Sequence, residues 1–258
     1  MEEIKASGRK AFIPYLCAGD PDLATTSLAL KQIDEAGADV IELGVPYSDP
    51  LADGPAIQSA ATRALQSGTT LDAVFDMLRA LAPELQAPVI MFTYYNPILA
   101  RGLDTFCRQL KDAGASGLLV PDLPLEETSE VREACAAAGL ELVLLTTPTT
   151  PKDRMTEIAR ATQGFVYLVS VTGVTGVRDS VATGVEGLID MLHNVTDKPV
   201  AVGFGISKQE HVQQVASWGA EGFIVGSALV RALGEASSPA EGLAALKNLA
   251  TELRAAAP

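Results

Sequence analysis

Eight short runs of apolar residues recur along the chain, and most of them are bounded by glycine or proline. Each run is rich in valine, isoleucine, leucine, phenylalanine or tyrosine, a composition typical of strands that are buried on both faces of a parallel sheet. We predict strands at residues 11–18, 39–45, 88–95, 117–122, 140–147, 164–171, 199–204 and 222–226.

The segments between these runs are rich in alanine and have the periodicity of amphipathic helices. One apolar stripe is predicted from Leu28, Leu30, Ile33 and Ala36. Several helical segments end at a glycine shortly before the next strand, where a left-handed residue can terminate a helix. These glycines are Gly37, Gly114, Gly139 and Gly219.

Eight strand–helix units in 258 residues predict a closed (β/α)8 TIM barrel that forms a single domain over residues 1–258. The alternative is an open doubly wound sheet, which would carry a G-x-G-x-x-G phosphate turn after its first strand. Here the first strand ends in residues 18–21, AGDP, without that pattern, and no linker or composition break divides the chain. Function in barrels lies at the carboxyl ends of the strands, where candidate residues are therefore sought.

Glycine-rich segments follow the last three predicted strands, at 173–176 (GVTG), 203–207 (GFGIS) and 226–228 (GSA). Barrels commonly bind phosphate in the loops after strands seven and eight, where a helix N-terminus faces the anion. Ser227 is predicted to cap a short helix at 228–233 and to donate its hydroxyl to the anion. Any one segment could be a tight turn alone, but the three together favour a phosphate site.

Glu42 is the one carboxylate that the strand pattern places inside the barrel. Alternation along the second strand puts Ile41, Leu43 and Val45 towards the helices, so Glu42 points inward near the strand's carboxyl end. Burial raises the pKa of a carboxyl group, and a pKa near neutrality suits a general acid/base. The alternative is a structural glutamate paired with a cation.

The other candidate residues have weaker signals. Asp53 lies in a proline-rich loop, and its Asp-Gly-Pro context by itself favours ordinary turn chemistry, as do the contexts of Asp49 and Asp122. Inward aromatic side chains could fill the barrel or line a slot for a flat apolar ligand. They are Tyr15, Phe92, Tyr94, Phe165 and Tyr167. His193 and His211 have no ligand partner at helical spacing, so a metal site is not expected.

Charge and cysteine content narrow the class of protein. The formal net charge is −13 and no run of Lys or Arg occurs, which argues against a nucleic-acid surface. Cys17, Cys107 and Cys135 are odd in number and far apart in sequence, so reduced, buried thiols are expected. The N-terminal residues lack a signal-peptide pattern and no apolar run is long enough to span a membrane, so we expect a soluble intracellular protein.

Residues 40–55, VIELGVPYSDPLADGP, resemble the long signature of the tryptophan synthase alpha chain family. Segments 19–21, 121–124, 173–176, 203–207 and 226–228 follow in the family's order, so the resemblance covers essentially the whole chain. It implies a TIM-barrel lyase without a cofactor. The implied reaction is a retro-aldol cleavage of indole-3-glycerol phosphate to indole and glyceraldehyde 3-phosphate.

The resemblance also implies roles for individual residues. Glu42 would be the acid/base for indole C3 and the glycerol hydroxyl, and Asp53 would accept the indole N–H, which reverses the turn interpretation of Asp53. Tyr167 matches a tyrosine near the catalytic glutamate. Phosphate-binding positions are matched by Gly176, Gly205, Gly226 and Ser227. Indole-pocket positions are matched by Tyr15, Phe92, Tyr94 and Thr175.

The same resemblance implies a partner protein and a cellular location. The family implies a pyridoxal-phosphate beta chain, an α2β2 heterotetramer and a cytoplasmic location. Loops 46–55 and 121–125 are expected to dock, with Asp49 and Asp122 facing basic groups of the partner.

Two departures keep an alternative open. Bacterial members commonly carry an Arg after the strand-six serine, whereas Val171 and Thr172 lie between Ser170 and Gly173 here. Plant-type lyases that release free indole without a partner are similar at this point. The segment before Phe12 is also short for the helix that usually lies under the barrel floor, which implies a less covered floor or a truncated start.

Two other classes of function share only part of this pattern. A phosphate-sugar isomerase or epimerase would share the late glycines but would not need the Glu42–Asp53 signature. A regulatory or scaffolding subunit need not keep a buried carboxylate.

Overall fold

Eight parallel strands pair in chain order and close into a barrel, with β1 hydrogen-bonded to β8. The computed structural model describes residues 1–169, 179–203 and 205–257, and within 179–183 it describes the backbone alone. The strands are β1 Ala11–Cys17, β2 Ile41–Gly44, β3 Val89–Phe92, β4 Gly117–Leu119, β5 Glu141–Thr146, β6 Val166–Val169, β7 Val200–Gly203 and β8 Gly222–Val225. The predicted single-domain TIM barrel is confirmed.

Helices surround the barrel and cover its floor. They are α1 Glu2–Ala6, α2 Leu23–Glu35, α3 Pro55–Gln66, α4 Leu71–Leu81, α5 Tyr95–Arg101, α6 Leu103–Asp112, α7 Thr128–Ala138, α8 Lys152–Ala161, α9 Asp179–His193, α10 Gln209–Ser217, α11 Ser227–Gly234 and α12 Pro239–Ala255. Short 3₁₀ turns lie at Ala82–Glu84 and Leu125–Glu127.

Among the described residues, the alternating strand residues build an inner and an outer apolar core, and a third, smaller cluster joins β1 to α3 and α11. The inner core fills the barrel with Ala11, Ile13, Val40, Ile90, Leu119, Val143, Phe165, Ala201 and Ile224. The outer core lies between strands and helices, and it includes Ile41, Leu43 and Met91, none of which is exposed. Strands buried on both faces explain why the sequence shows continuous apolar runs rather than alternation.

Helix boundaries follow local chemistry. The Asp22 carboxylate accepts the Thr25 N–H at 2.7 Å and so begins α2. All four predicted terminal glycines have positive φ, for example +93° at Gly114, where a Cβ would also approach Ala82. The predicted stripe on α2 is wrong at Leu28, which is 52% exposed. The buried face of α2 carries Ala29 and Ile33, and Leu28 lies outside that face.

Two predicted strands extend too far. The run at 117–122 ends as a strand at Leu119, because Pro121 has no N–H for the ladder. The run at 88–95 ends at Phe92, and Tyr95 instead begins α5, where its N–H donates to Asp122 at 2.9 Å. The predicted ends of the sixth and seventh runs include residues 170, 171 and 204, which lie outside the described residues.

The floor of the barrel is covered by α1. Met1 and Ile4 pack against the inner core, and Lys5 forms an ion pair with Glu221 at 3.2 Å. Glu221 also accepts the Val200 N–H at 2.8 Å, which ties the floor to β7. In the part of the chain that the structure describes, no helix is long and apolar enough to cross a membrane.

Candidate active site

Glu42 lies inside the upper part of the barrel, as the strand pattern predicted. It is 1% exposed and lies between Tyr15 of β1 and Ile90 of β3 in the strand register. Neither carboxyl oxygen has a hydrogen-bond partner among the described residues. Desolvation therefore raises the pKa of Glu42 to about 8. Such a group carries its proton at neutral pH and can give it up with little cost, as general acid/base catalysis requires.

The rings of Tyr15 and Tyr167 lie near Glu42, and each packs directly against a glycine. A Cβ at Gly44 would collide with the Tyr15 ring, and one at Gly203 would come within 2.8 Å of the Tyr167 hydroxyl. Burial raises the pKa of both tyrosines well above the ordinary value, and the charge of Glu42 raises it further. Both rings thus remain neutral and desolvate the carboxyl group that they surround.

Asp53 lies above this interior, in the loop between β2 and α3. Burial raises the pKa of Asp53 to about 6, and a hydrogen bond from the Tyr94 hydroxyl lowers it. The same hydroxyl accepts the Ala52 N–H at 3.0 Å. The Tyr94 ring stacks on Tyr47 at a centroid distance of 5.1 Å. Tyr94 therefore fixes the loop and favours the ionised form of Asp53.

The remaining rim residues are less buried. Phe92 meets the Tyr15 ring edge-on at 5.5 Å, which gives the interior an apolar wall. Asp122 is exposed, and its bond to the Tyr95 N–H makes it a helix cap, the ordinary role that its sequence context favoured. Asp49 is exposed in the loop before Asp53.

Three of the phosphate candidates are among the described residues: Gly205 lies in the loop after β7, and Gly226 and Ser227 lie at the start of α11. The prediction that Ser227 caps a helix at 228–233 is wrong: Ser227 is the first residue of α11, Gly226 is the cap, and no side-chain capping bond forms. A Cβ at Gly226 would make only ordinary 3.7 Å contacts with Tyr15, so packing within the chain does not require glycine there. Gly205 has φ +27° and open space beside it.

Several predicted positions lie outside the described residues. They are Val171, Gly173, Thr175, Gly176 and Phe204. The structure brings six predicted residues together at one end of the barrel: Glu42, Tyr15, Phe92, Tyr167, Asp53 and Tyr94. Gly226, the cap of α11, and Ser227, its first residue, lie beside them.

Thiols and metal ligands do not form a second centre in the described parts of the chain. No group of three or more His, Cys, Asp or Glu residues could hold a metal ion there. The three cysteines are buried free thiols. Although Cys107 and Cys135 are distant in sequence, α6 and α7 bring their sulfur atoms to 3.9 Å.

Comparisons with known proteins now identify the family. The family model described as tryptophan synthase alpha chain matches residues 1–258. This chain belongs to the tryptophan synthase alpha chain family. A relative named tryptophan synthase alpha chain from Arabidopsis thaliana is 56% identical over 253 residues, which cover 98% of this chain and 92% of the relative.

Solved structures agree with the assignment to the tryptophan synthase alpha chain family. A chain in a structure of Mycobacterium tuberculosis tryptophan synthase has a TM-score of 0.89 at 37% identity, covering 99% of this chain and 95% of that one. A chain of the tryptophan synthase α2β2 complex from Pyrococcus furiosus has a TM-score of 0.86 at 39% identity, covering 95% and 97%. The predicted family resemblance is confirmed.

Sequence reasoning missed the hydrogen bond between Tyr94 and Asp53. The sequence predicts Tyr94 on the third strand as a pocket residue, but Tyr94 lies two residues beyond Phe92, the end of β3. Its hydroxyl bonds to Asp53, which lies 41 positions earlier in the chain. The doubled tyrosine before Asn96 gives no signal of this contact.

The burial of Glu42 predicts a stabilising active-site substitution. Its pKa rises from 4.5 to about 8 on folding, so the folded state binds a proton that the unfolded chain loses between those pH values. Rising pH through this window therefore destabilises the wild type, by at most about 1.4 kcal/mol per pH unit. Glu42→Gln has no titrating group at this position and does not lose stability in this way. Its free energy of unfolding should therefore exceed that of the wild type by an amount that grows from pH 5 to pH 8.

Urea unfolding at several pH values measures this difference. Leu43→Met is the control, because it alters an adjacent buried side chain without removing a titrating group, and its difference from wild type should not vary with pH. A Glu42→Gln advantage that is equally flat would contradict the burial argument.

Removal of the Tyr94 hydroxyl should raise the pKa of Asp53. The bond that lowers this pKa is lost in Tyr94→Phe, and bonds to charged groups contribute about 1.5–3 kcal/mol, so a pKa rise of about one to two units is expected. Carboxyl-carbon NMR titration measures it. Tyr47→Phe is the control, since the Tyr47 hydroxyl binds Asn96 instead. Equal shifts in the two variants, or none in Tyr94→Phe, would refute the assignment.

Proposed function

We propose that this chain is the lyase of its family and cleaves indole-3-glycerol phosphate to indole and glyceraldehyde 3-phosphate. The observation that carries the proposal is Glu42, a buried carboxyl group whose oxygens have no partner among the described residues. A buried charged group that serves only the fold needs a pairing partner, and Glu42 has none among the described residues. A group held in this way suits proton transfer to a bound molecule.

Glu42 moves the proton in both directions. With its pKa at about 8, it is protonated at neutral pH and donates to C3 of the indole ring. The resulting carboxylate then takes the proton of the glycerol hydroxyl next to the ring. The carbon–carbon bond breaks as the hydroxyl carbon becomes an aldehyde, and its electron pair returns to the ring. Glu42 ends protonated as it began, so the step needs no cofactor.

Asp53 stabilises the intermediate of this reaction. Protonation at C3 places positive charge on the indole nitrogen, and an ionised carboxylate nearby lowers the energy of that charge. The pKa of Asp53 at about 6 keeps it ionised at neutral pH while Glu42 is protonated. Two carboxyl groups in different surroundings thus take different roles.

The two ends of the substrate match two parts of the rim. The rings of Tyr15, Phe92 and Tyr94 offer apolar faces to the indole. At the other end, α11 presents its N-terminus with Gly226 and Ser227, and the partial positive charge of a helix start favours phosphate. The family resemblance adds Gly176 and Gly205 at the phosphate end and Thr175 in the indole pocket.

The chain acts as the alpha subunit of an α2β2 assembly with a pyridoxal-phosphate beta chain. The similar Pyrococcus furiosus chain belongs to an α2β2 complex, and this supports the partnered form over a standalone lyase that releases indole. Leu51 is 85% exposed beside Asp49 in the loop that also carries Asp53, so docking there would reach the catalytic groups directly. Asp122 on the neighbouring loop is the second proposed contact. The proposed location is the cytoplasm.

Indole release from indole-3-glycerol phosphate by the purified chain tests the proposal. The wild type should release indole and aldehyde in equal amounts. Glu42→Gln should lose at least about 100-fold in rate, because general acid/base catalysis contributes ~10²–10⁴-fold, while Leu43→Met should remain active. Glu42→Gln retaining more than about a tenth of wild-type activity would refute the role of Glu42.

A further inference from the structure

A partly buried ion pair between Asp20 and Arg63 lies beside the proposed site. Asp20, in the turn after β1, is 2% exposed. Its two carboxyl oxygens accept from Nε and Nη2 of Arg63 at 2.7 and 2.8 Å, a two-pronged contact that fixes the direction of both side chains. This bond raises the pKa of Arg63 further, so the pair remains charged.

The ion pair joins three segments. Arg63 projects from α3, and the loop after α3 also contacts the turn, since a Cβ at Gly19 would collide with the Thr69 side chain. Gly234 is the last residue of α11, and a Cβ there would meet Nη2 of Arg63 and lie 2.5 Å from Oδ2 of Asp20. A guanidinium at the carboxyl end of a helix is also favoured by the helix dipole.

The apolar contact between these segments is made largely by small side chains. Ala60, Ala61 and Ala64 of α3 pack against Val230 of α11 and against Tyr15. Alanine methyl groups interlock little and each forms few dispersion contacts, so this packing alone restrains the rotation of α3 weakly. The directional bond between Arg63 and Asp20 supplies the restraint that the alanines lack.

Both helices begin at the proposed substrate site. Pro55, the first residue of α3, lies two positions after Asp53, and Ser227 is the first residue of α11. A rotation of α3 against α11 would therefore change the separation between the group facing the indole nitrogen and the group facing the phosphate. Small displacements of this kind are costly, since ~1 Å can lower a rate about 100-fold.

We propose that Arg63 and Asp20 are a positioning pair that sets the separation between Asp53 and the phosphate-facing start of α11. The proposal rests on the proposed function. Neither residue touches the substrate. The pair should therefore affect a substrate that contacts both Asp53 and the start of α11. It should not affect the binding of a ligand that contacts only one of them.

Steady-state kinetics on indole-3-glycerol phosphate, with glycerol phosphate as a competitive inhibitor, separate these cases. Arg63→Gln should lower kcat/KM at least tenfold while the inhibition constant of glycerol phosphate stays within twofold of wild type. Arg63→Lys keeps the charge but not the two-pronged geometry, so it should recover part of the loss. Arg79→Gln is the control, because it breaks an exposed ion pair with Asp76 on α4, and it should match wild type.

Three outcomes would overturn the proposal. In the first, Arg63→Gln matches Arg79→Gln in kcat/KM. In the second, glycerol phosphate binding weakens as much as kcat/KM, which would make the pair a support of the phosphate site alone. In the third, Arg63→Gln melts below the assay temperature and the folded Arg63→Lys has wild-type kcat/KM. A wild type that releases no indole would instead refute the proposed function, and the positioning role with it.

Discussion

Taking a carboxyl group out of water without a partner is costly, and the barrel accepts this cost at Glu42. The residue is 1% exposed, and its pKa rises to about 8 because its surroundings cannot solvate the charge. Strand alternation forces it inward, and Tyr15 and Tyr167 complete the dry surroundings because Gly44 and Gly203 leave room for their rings. The reactivity of the site follows from this single desolvation.

The rest of the site depends on a second carboxyl group, that of Asp53, whose pKa differs from that of Glu42. Asp53 lies on a loop at the rim, where the Tyr94 hydroxyl bonds to its ionised form, and its pKa of about 6 lies below that of Glu42. At neutral pH the site thus holds one protonated carboxyl group in the interior and one ionised carboxyl group at the rim. The loop that carries Asp53 also bears the exposed Leu51, so a docked partner and the reacting groups share one segment.

The sequence predicted most of what depends on periodicity and little of what depends on distant contacts. The inward direction of Glu42 followed from alternation on one strand, and the barrel followed from eight repeated units. The stripe through Leu28 was wrong because apolar character does not tell which helix face is buried. Local chemistry did not identify Asp53, for which the family resemblance was needed. The contact of Tyr94 with Asp53 joins residues 41 positions apart, and that of Arg63 with Asp20 joins residues 43 positions apart. Contacts at such distances leave no pattern in the sequence.

The central claim is that Glu42 is protonated at neutral pH in the folded chain. Infrared difference spectroscopy between wild type and Glu42→Gln isolates the carbonyl band of the protonated carboxyl group across a pH series. The account predicts that this band is present at pH 7 and disappears with a midpoint near pH 8. A band already absent at pH 6 would show an ionised Glu42 and would contradict the account.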